Sequence, residues 1–174
     1  MRNASTVTLA ILSLLLSGCE LSQHPESFPV QGSIIRYVQQ NCSNASPCTL
    51  RIRDLTHFEW ERMYVFAVGS SLSDRERIVG QPGVQSVDLE GEMVFTKAGK
   101  IVHQEPMPEG VELPLKNEVG FAENTNTGGH SEYSPTTSFS VAISQSKNGR
   151  YFVLSRIELC GPDLACEPIP PDPR

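Results

Sequence analysis

The segment "HFEWE", which begins at His57, is the part of the chain whose residue types and spacing most suggest chemistry. It places His57, Glu59 and Glu61 at alternate positions, and alternate residues of a β-strand share one face. An imidazole and two carboxylates on one face could bind a metal ion or supply an acid–base pair. A half-buried strand requires the same alternation, with Phe58 and Trp60 inward and the polar side chains in solvent. We favour this second interpretation, and we predict no catalytic residue, no metal site and no cofactor.

A second group of polar residues lies in the segment "ENTNTGGHSEYSP", which we predict to be a long polar loop. His130, Ser131 and Glu132 could form a catalytic trio, but adjacent residues seldom converge on one substrate atom. A polar loop on a rigid sheet is instead a candidate recognition surface. The partner-binding candidates are therefore His130, Glu132 and Tyr133, together with Trp60. Tryptophan is enriched at interface hot spots, although core packing is the favoured interpretation for Trp60.

Common catalytic motifs are absent from the sequence. It contains no Gly-x-Ser-x-Gly, no His-Glu-x-x-His, no phosphate-binding Gly-rich loop and no dinucleotide fingerprint. An enzyme remains an alternative, as a small hydrolase that uses His57 or His130 with nearby carboxylates.

The beginning of the chain has the features of an export signal. Arg2 gives a positive start, and residues 7–16 are apolar except for Thr8 and Ser13. An apolar run of this length fits the core of a signal peptide and is too short to span a bilayer as a helix.

The residues that follow the apolar run are Leu16, Ser17, Gly18 and Cys19. This order resembles the lipobox of bacterial lipoproteins. The resemblance implies that signal peptidase II removes residues 1–18 and that Cys19 carries a diacylglycerol on its sulfur and an acyl chain, such as palmitate, on its amine. Two or three acyl chains hold a protein at a membrane almost irreversibly. By the sorting rule of that family, Glu20 in place of Asp favours the outer membrane, facing the periplasm, over the inner membrane.

The cysteine count agrees with lipidation of Cys19. The chain has five cysteines, so removing Cys19 leaves an even set: Cys42, Cys48, Cys160 and Cys166. An oxidising periplasm permits disulfides. Of the three pairings, we favour Cys42–Cys48 and Cys160–Cys166, because each would close a turn-rich loop. Metal binding by these cysteines is the less favoured alternative, because they lack the Cys-x-x-Cys spacing and an adjacent histidine.

The charge of the chain excludes one class of partner. Removal of residues 1–18 takes away one basic side chain, Arg2, from 14 and none of the 20 acidic ones, which leaves a net charge of −7. Nucleic acid requires a basic surface, so we predict no nucleic-acid partner. The membrane contact is predicted to be the lipid anchor.

The chain divides into four parts. We predict a signal peptide at residues 1–18, a polar tether at 19–29, a single domain at 30–160 and a proline-rich tail at 161–174. Five prolines in the tail prevent it from continuing a helix or a central strand.

The domain is predicted to be α+β, with a mainly antiparallel sheet and one or two short helices. Ser33 is predicted to cap a first helix, and Ser73 with Glu76 forms a capping box for a second helix that ends at Gly80. Gly99 and the Asn148-Gly149 pair indicate two hairpin turns. The predicted strands are residues 49–55, 63–68, 92–96, 101–105, 118–122, 138–144 and 150–159.

The segment "DLTHFEWERMYVF" resembles a pattern shared by a group of small uncharacterised bacterial lipoproteins. Glu61 stands where aspartate is usual in that pattern. The resemblance supports the fold class and implies no activity. The matching positions are Asp54, Thr56, Phe58, Trp60, Tyr64 and Phe66.

These observations predict a non-enzymatic lipoprotein that binds another envelope protein from the periplasmic face of the outer membrane. An immunity or inhibitor role fits a small, acidic, anchored domain without catalytic motifs. The alternatives are a small envelope hydrolase and a structural accessory of the outer membrane.

Overall fold

The computed structural model describes residues 28–44, 48–84, 90–107, 114, 116–124 and 129–157. The predicted signal peptide with Cys19, the tether up to residue 27, Cys160, Cys166 and the proline-rich tail lie outside these residues. Within them, no helix has the length and apolar character needed to cross a membrane.

Two α-helices and eight β-strands form the described part of the chain, with short 3-10 helices between them. In chain order they are α1 (Pro29–Asn41), β1 (Cys48–Leu50), a 3-10 helix (Ile52–Leu55), β2 (Arg62–Phe66), α2 (Leu72–Val79), β3 (Gly91–Lys97), β4 (Lys100–Met107), β5 (Val119–Phe121), a 3-10 helix (Ala122–Asn124), β6 (His130–Tyr133), β7 (Phe139–Ser146) and β8 (Gly149–Arg156).

The strands form two four-stranded sheets. The first has the order β1-β7-β8-β5 and the second the order β4-β3-β2-β6. Every pairing is antiparallel except β5 with β8, which is parallel. The predicted α+β class, with mainly antiparallel sheets in a single domain, is confirmed.

Both sheets contribute to one hydrophobic core, which α1 also joins. Phe121 and Phe139 of the first sheet pack their rings on Tyr133 of the second, with centroids 5.5 and 5.0 Å apart. Ile34 and Val38 of α1 are fully buried in the same core. Aromatic rings bury large apolar areas, so these contacts hold the two sheets together.

A smaller apolar cluster lies on the other face of β2, beneath α2. Met63 and Val65 face the main core, whereas Tyr64 and Phe66 face this second cluster with Val79 of α2. The period of two along a strand separates the two sets of side chains. The prediction that residues 63–68 contain a central strand covered on both sides is confirmed by β2.

A buried ion pair joins α2 to β3. Arg75 Nη1 donates to Glu92 Oε2 at 2.9 Å, and Arg75 Nη2 donates to the carbonyl of Glu90 at 3.1 Å. The guanidinium lies 5.7 Å from the centroid of the Phe66 ring. Burial raises the pKa of Glu92 to about 6, although the hydrogen bond and charge of Arg75 act in the opposite direction.

Helix α1 begins earlier than predicted, because its N-cap is Phe28 and lies five residues before the predicted cap, Ser33. Pro29 occupies its first turn, where its fixed φ suits a helix and its missing N–H costs no bond. Ser33 lies inside the helix and donates its hydroxyl to the Pro29 carbonyl at 2.8 Å, so it is not the N-cap. The backbone N–H groups of Val30 and Gln31 instead donate to the carboxylate of Glu105 in β4, at 3.1 and 2.9 Å.

Helix α2 has the predicted end and a different cap. Gly80 adopts φ +82° after the last turn, as a C-terminal glycine often does. The N-cap is Ser71, whose hydroxyl accepts the N–H of Asp74 at 3.1 Å. The predicted capping box of Ser73 with Glu76 is therefore wrong, because the N-cap lies two residues earlier and Ser73 is inside the helix, which begins at Leu72.

Two further predictions about local structure are wrong. Residues 49–55 are not one strand, because β1 ends at Leu50 and a 3-10 helix starts at Ile52, although both side chains are buried. The predicted polar loop contains β6, which extends the second sheet by pairing with β2. Polar residues form this strand because it lies at the edge of the sheet, where one face is exposed.

The Cys42–Cys48 disulfide is present and links the end of α1 to β1. The two Cα atoms lie 5.2 Å apart, an ordinary separation for a disulfide. The pairing of Cys160 with Cys166 remains a prediction.

Candidate functional site

The segment that contains Trp60 lines an open cleft of about 430 Å³, which we call the tryptophan cleft. The segment crosses from the first 3-10 helix to β2, and Lys97 at the end of β3 completes the wall. The lining residues are Arg53, Thr56, His57, Phe58, Glu59, Trp60 and Lys97.

Two aromatic rings with fixed positions line the cleft. Trp60 is only 6% exposed and donates its indole N–H to the Thr56 hydroxyl at 3.1 Å. The rings of Trp60 and Phe58 both pack edge-on against Phe95, at 5.3 Å between centroids in each case. Phe58 also lies 4.7 Å from the ring of His103. These contacts hold the aromatic side of the cleft rigid.

Charged side chains form the rim of the cleft. Lys97 forms an ion pair with Glu59. The hydrogen bond and charge of Lys97, with a contribution from the charge of Arg53, lower the pKa of the Glu59 carboxyl, so this carboxyl is ionised at neutral pH. No carboxylate among the described residues lies within ion-pair distance of Arg53. The three charged side chains carry a net positive charge on a chain that is acidic overall.

The exposure and the contacts of residues 57–61 show what the polar residues of the "HFEWE" segment do. The segment alternates between exposed and inward-facing residues as predicted, although residues 57–60 are not part of a strand. Glu59 contacts Lys97, and Glu61 accepts the backbone N–H of Ala98 at 2.9 Å. Both carboxylates therefore hold the β3–β4 hairpin. In the part of the chain that the structure describes, no group of three His, Cys, Asp or Glu residues could hold a metal ion.

The candidates from the predicted polar loop lie in β6. His130 and Glu132 are exposed; His130 stacks on Phe66 at 6.0 Å, and Glu132 forms an ion pair with Arg62. Ser131 is buried and points to the opposite face of the strand. The three residues therefore cannot act on one substrate atom.

Tyr133 is 2% exposed and belongs to the core. Its hydroxyl donates to Glu123 at 2.8 Å, and the Arg156 guanidinium lies 4.7 Å from the centroid of its ring. Burial raises the pKa of the Tyr133 hydroxyl well above its usual range. Packing against other rings therefore removes Tyr133 from any partner surface and leaves only a small part of Trp60 exposed, at the tryptophan cleft. His130 and Glu132 remain partner-binding predictions.

Sequence reasoning missed a histidine–carboxylate pair in β4. His103 Nε2 lies 3.0 Å from Glu105 Oε2, and Glu105 is 3% exposed. The spacing of the two residues was the available clue, because positions i and i+2 of a strand share a face. The burial of Glu105 at the start of α1 could not be seen from that spacing.

Comparison with protein-family models, with curated proteins and with solved structures finds no significant match to this chain. The geometry of the chain itself therefore carries the functional argument.

The tryptophan cleft has the character of a binding site. Rigid aromatic rings offer apolar contact area with little loss of conformational entropy, and the charged rim offers ion pairs and hydrogen bonds. A second cleft of about 320 Å³ is lined by other residues of the first 3-10 helix and by Arg51, which pairs with Asp54 at 2.9 Å. The tryptophan cleft is the better candidate because it also contains Arg53, which forms no ion pair with any carboxylate of the described residues.

Proposed function

We propose that this chain is a lipoprotein of the outer membrane, facing the periplasm, and that it binds another envelope protein without catalysing a reaction. The observation that carries the binding role is the tryptophan cleft, a rigid aromatic surface with an excess of positive charge. The anchor is supported by the resemblance of residues 16–19 to a lipobox. An immunity or inhibitor role is the form of binding that we propose.

The interactions that Glu59 and Glu61 already make support binding over catalysis. A general base must reach the substrate proton it removes, and its pKa is usually tuned toward neutrality. The Glu59 carboxyl has its pKa shifted downward, away from neutrality, and Glu61 is engaged with the Ala98 N–H. These two carboxylates therefore suit charge pairing and hairpin support better than proton transfer.

The experiment is a capture from the producing organism's own envelope. The mature chain is made as a soluble periplasmic protein with Cys19→Ser and a photo-reactive phenylalanine analogue at His57, in the rim of the cleft. We expect one partner, identified by mass spectrometry, to cross-link in stoichiometric amount. The matched control carries the same analogue at Lys147, in the exposed β7–β8 turn, which does not line the cleft.

Absence of a cross-linked partner, with the protein shown to be folded, would contradict the binding role. Equal cross-linking from Lys147 would contradict the assignment of the cleft. Lipidation is tested separately, by metabolic labelling of the wild-type chain with palmitate, which Cys19→Ser should abolish.

One observation favours the hydrolase alternative. The Glu105 carboxylate could orient the imidazole of His103 in the manner of a catalytic acid–base pair. A hydrolase predicts that His103→Gln abolishes turnover of an envelope substrate and leaves partner capture intact, whereas a binding module predicts no turnover to abolish.

A further inference from the structure

We infer that the tryptophan cleft recognises an extended segment of the partner protein in which an aspartate or glutamate stands beside an apolar residue. This inference rests on the proposed function, because it names the part of the partner that the cleft contacts. Charge, aromatic surface and size each support it.

Charge complementarity selects an acidic ligand. Arg53 projects from the first 3-10 helix, and no carboxylate of the described residues forms an ion pair with its guanidinium. A planar guanidinium binds a carboxylate through two parallel hydrogen bonds. Lys97 is 42% exposed and its partner Glu59 is 81% exposed. Exposed ion pairs are weak, so a ligand carboxylate can compete with Glu59 for Lys97.

The aromatic side of the cleft selects the neighbouring apolar residue. Phe58 is half-buried, and the edge of Trp60 reaches the cleft beside it. An apolar side chain placed there removes its own surface and part of Phe58 from water. The Trp60 N–H is already satisfied by Thr56 at 3.1 Å, so contact with this region leaves no buried donor unpaired.

The size of the cleft fits a few side chains rather than a whole folded element. A volume of about 430 Å³ is near the lower end for ligand sites and accommodates a few side chains of an extended chain.

The test uses the full mature chain with Cys19→Ser and two peptide libraries. Both contain acetylated and amidated heptapeptides in which the central residue is flanked by Leu, Ile, Val or Phe; the central residue is Glu in one library and Gln in the other. The chain has a single tryptophan, and that residue lines the cleft, so the intrinsic fluorescence of Trp60 reports occupancy directly. We expect the Glu library to shift Trp60 emission and the Gln library to have little effect.

Three variants test the charge assignment. Arg53→Gln should weaken binding of the Glu library by about tenfold or more, since a hydrogen bond to a charged group is lost. Arg36→Gln, at an exposed position of α1, is the matched control and should leave binding unchanged. Glu59→Gln should tighten binding, because it frees Lys97 and removes a competing carboxylate; a structural role for Glu59 would not produce this gain.

Equal binding of the two libraries, or binding that is unaffected by Arg53→Gln, would overturn the inference. Displacement of the peptides by inorganic phosphate at equal concentration would also overturn it, by showing a general anion site. If no peptide binds while the His57 cross-linker still captures a partner, the acidic-segment inference fails and the proposed function stands. If neither experiment finds a ligand, both fail.

Discussion

Glu105 in β4 accepts the backbone N–H of Gln31 at 2.9 Å, across 74 positions of the sequence. The same carboxylate accepts the N–H of Val30 and lies 3.0 Å from His103 Nε2. A buried carboxylate at a helix N-terminus satisfies free N–H groups and interacts favourably with the helix dipole. This relationship fixes the start of α1 to the second sheet, at the end of the tether that we predict.

The first prediction concerns Glu105. Glu105→Gln keeps the shape of the side chain but replaces one acceptor oxygen with a donor, which faces the N–H groups of α1. We expect the free energy of unfolding to fall by about 2 kcal/mol. Urea denaturation measures this change, and amide hydrogen exchange should accelerate at Val30 and Gln31.

The matched control is Asp54→Asn, which removes an exposed ion pair with Arg51. Exposed ion pairs contribute little to stability, so Asp54→Asn should lower the free energy of unfolding much less than Glu105→Gln does. Equal losses in the two variants would show that Glu105 does not hold the helix.

The second prediction concerns pH and the buried Arg75–Glu92 pair. Burial raises the pKa of Glu92 from 4.5 to about 6 on folding. Between these values the folded state binds more protons than the unfolded state, so the contribution of Glu92 is fully present at low pH and is lost as pH rises through about 6. The difference in unfolding free energy between wild type and Glu92→Gln should fall by about 2 kcal/mol from about pH 3, below this window, to about pH 7.5, above it.

Urea denaturation of both proteins below and above this window measures that difference. Arg75→Met provides a second test of the sign. Arg75 lowers the pKa of Glu92, so removal of Arg75 should raise that pKa further. The stability that Glu92 contributes should then be lost at a pH above 6. If the unfolding free energy of wild type relative to Glu92→Gln increased with rising pH, the raised pKa of Glu92 would be contradicted.

Features with a local cause could be predicted from the sequence. Gly99 and the Asn148-Gly149 pair marked two hairpin turns, and both hairpins are present as β3–β4 and β7–β8. Gly80 marked the end of α2 correctly. In each case a glycine with positive φ determines the turn or helix end within a few residues.

Features with a distant cause could not be predicted. Helix α1 starts before Ser33 because its N–H acceptor is Glu105, far along the chain. The polar residues of β6 form a strand because β2 provides an edge on which they pair. The tryptophan segment lines a cleft with Lys97, and Lys97 could not be placed there from the sequence because it comes from a separate hairpin.

The third prediction concerns the Cys42–Cys48 disulfide, which closes a loop with a sequence separation of six. The disulfide restricts the unfolded chain, so the wild type loses less conformational entropy on folding than a chain without the bond. Replacement of both cysteines by alanine should therefore lower the free energy of unfolding by about 2 kcal/mol, the value expected for a short loop. Urea denaturation measures the loss. Thiol labelling of the unfolded wild-type chain provides the control: labelled Cys42 or Cys48 without prior reduction would contradict the bond.

The fourth prediction concerns Ala98, which adopts φ +49° in the β3–β4 turn beside Gly99. A positive φ is unfavourable for alanine, whereas asparagine tolerates it and Asn-Gly is the preferred pair for a two-residue hairpin turn. We expect Ala98→Asn to raise the free energy of unfolding by about 0.5 kcal/mol or more in urea denaturation, provided that the N–H of residue 98 still donates to Glu61. The same substitution at Ala142, inside β7, should destabilise the protein because asparagine is unfavourable in a strand. If Ala98→Asn were destabilising to the same extent, the left-handed conformation of residue 98 would be contradicted.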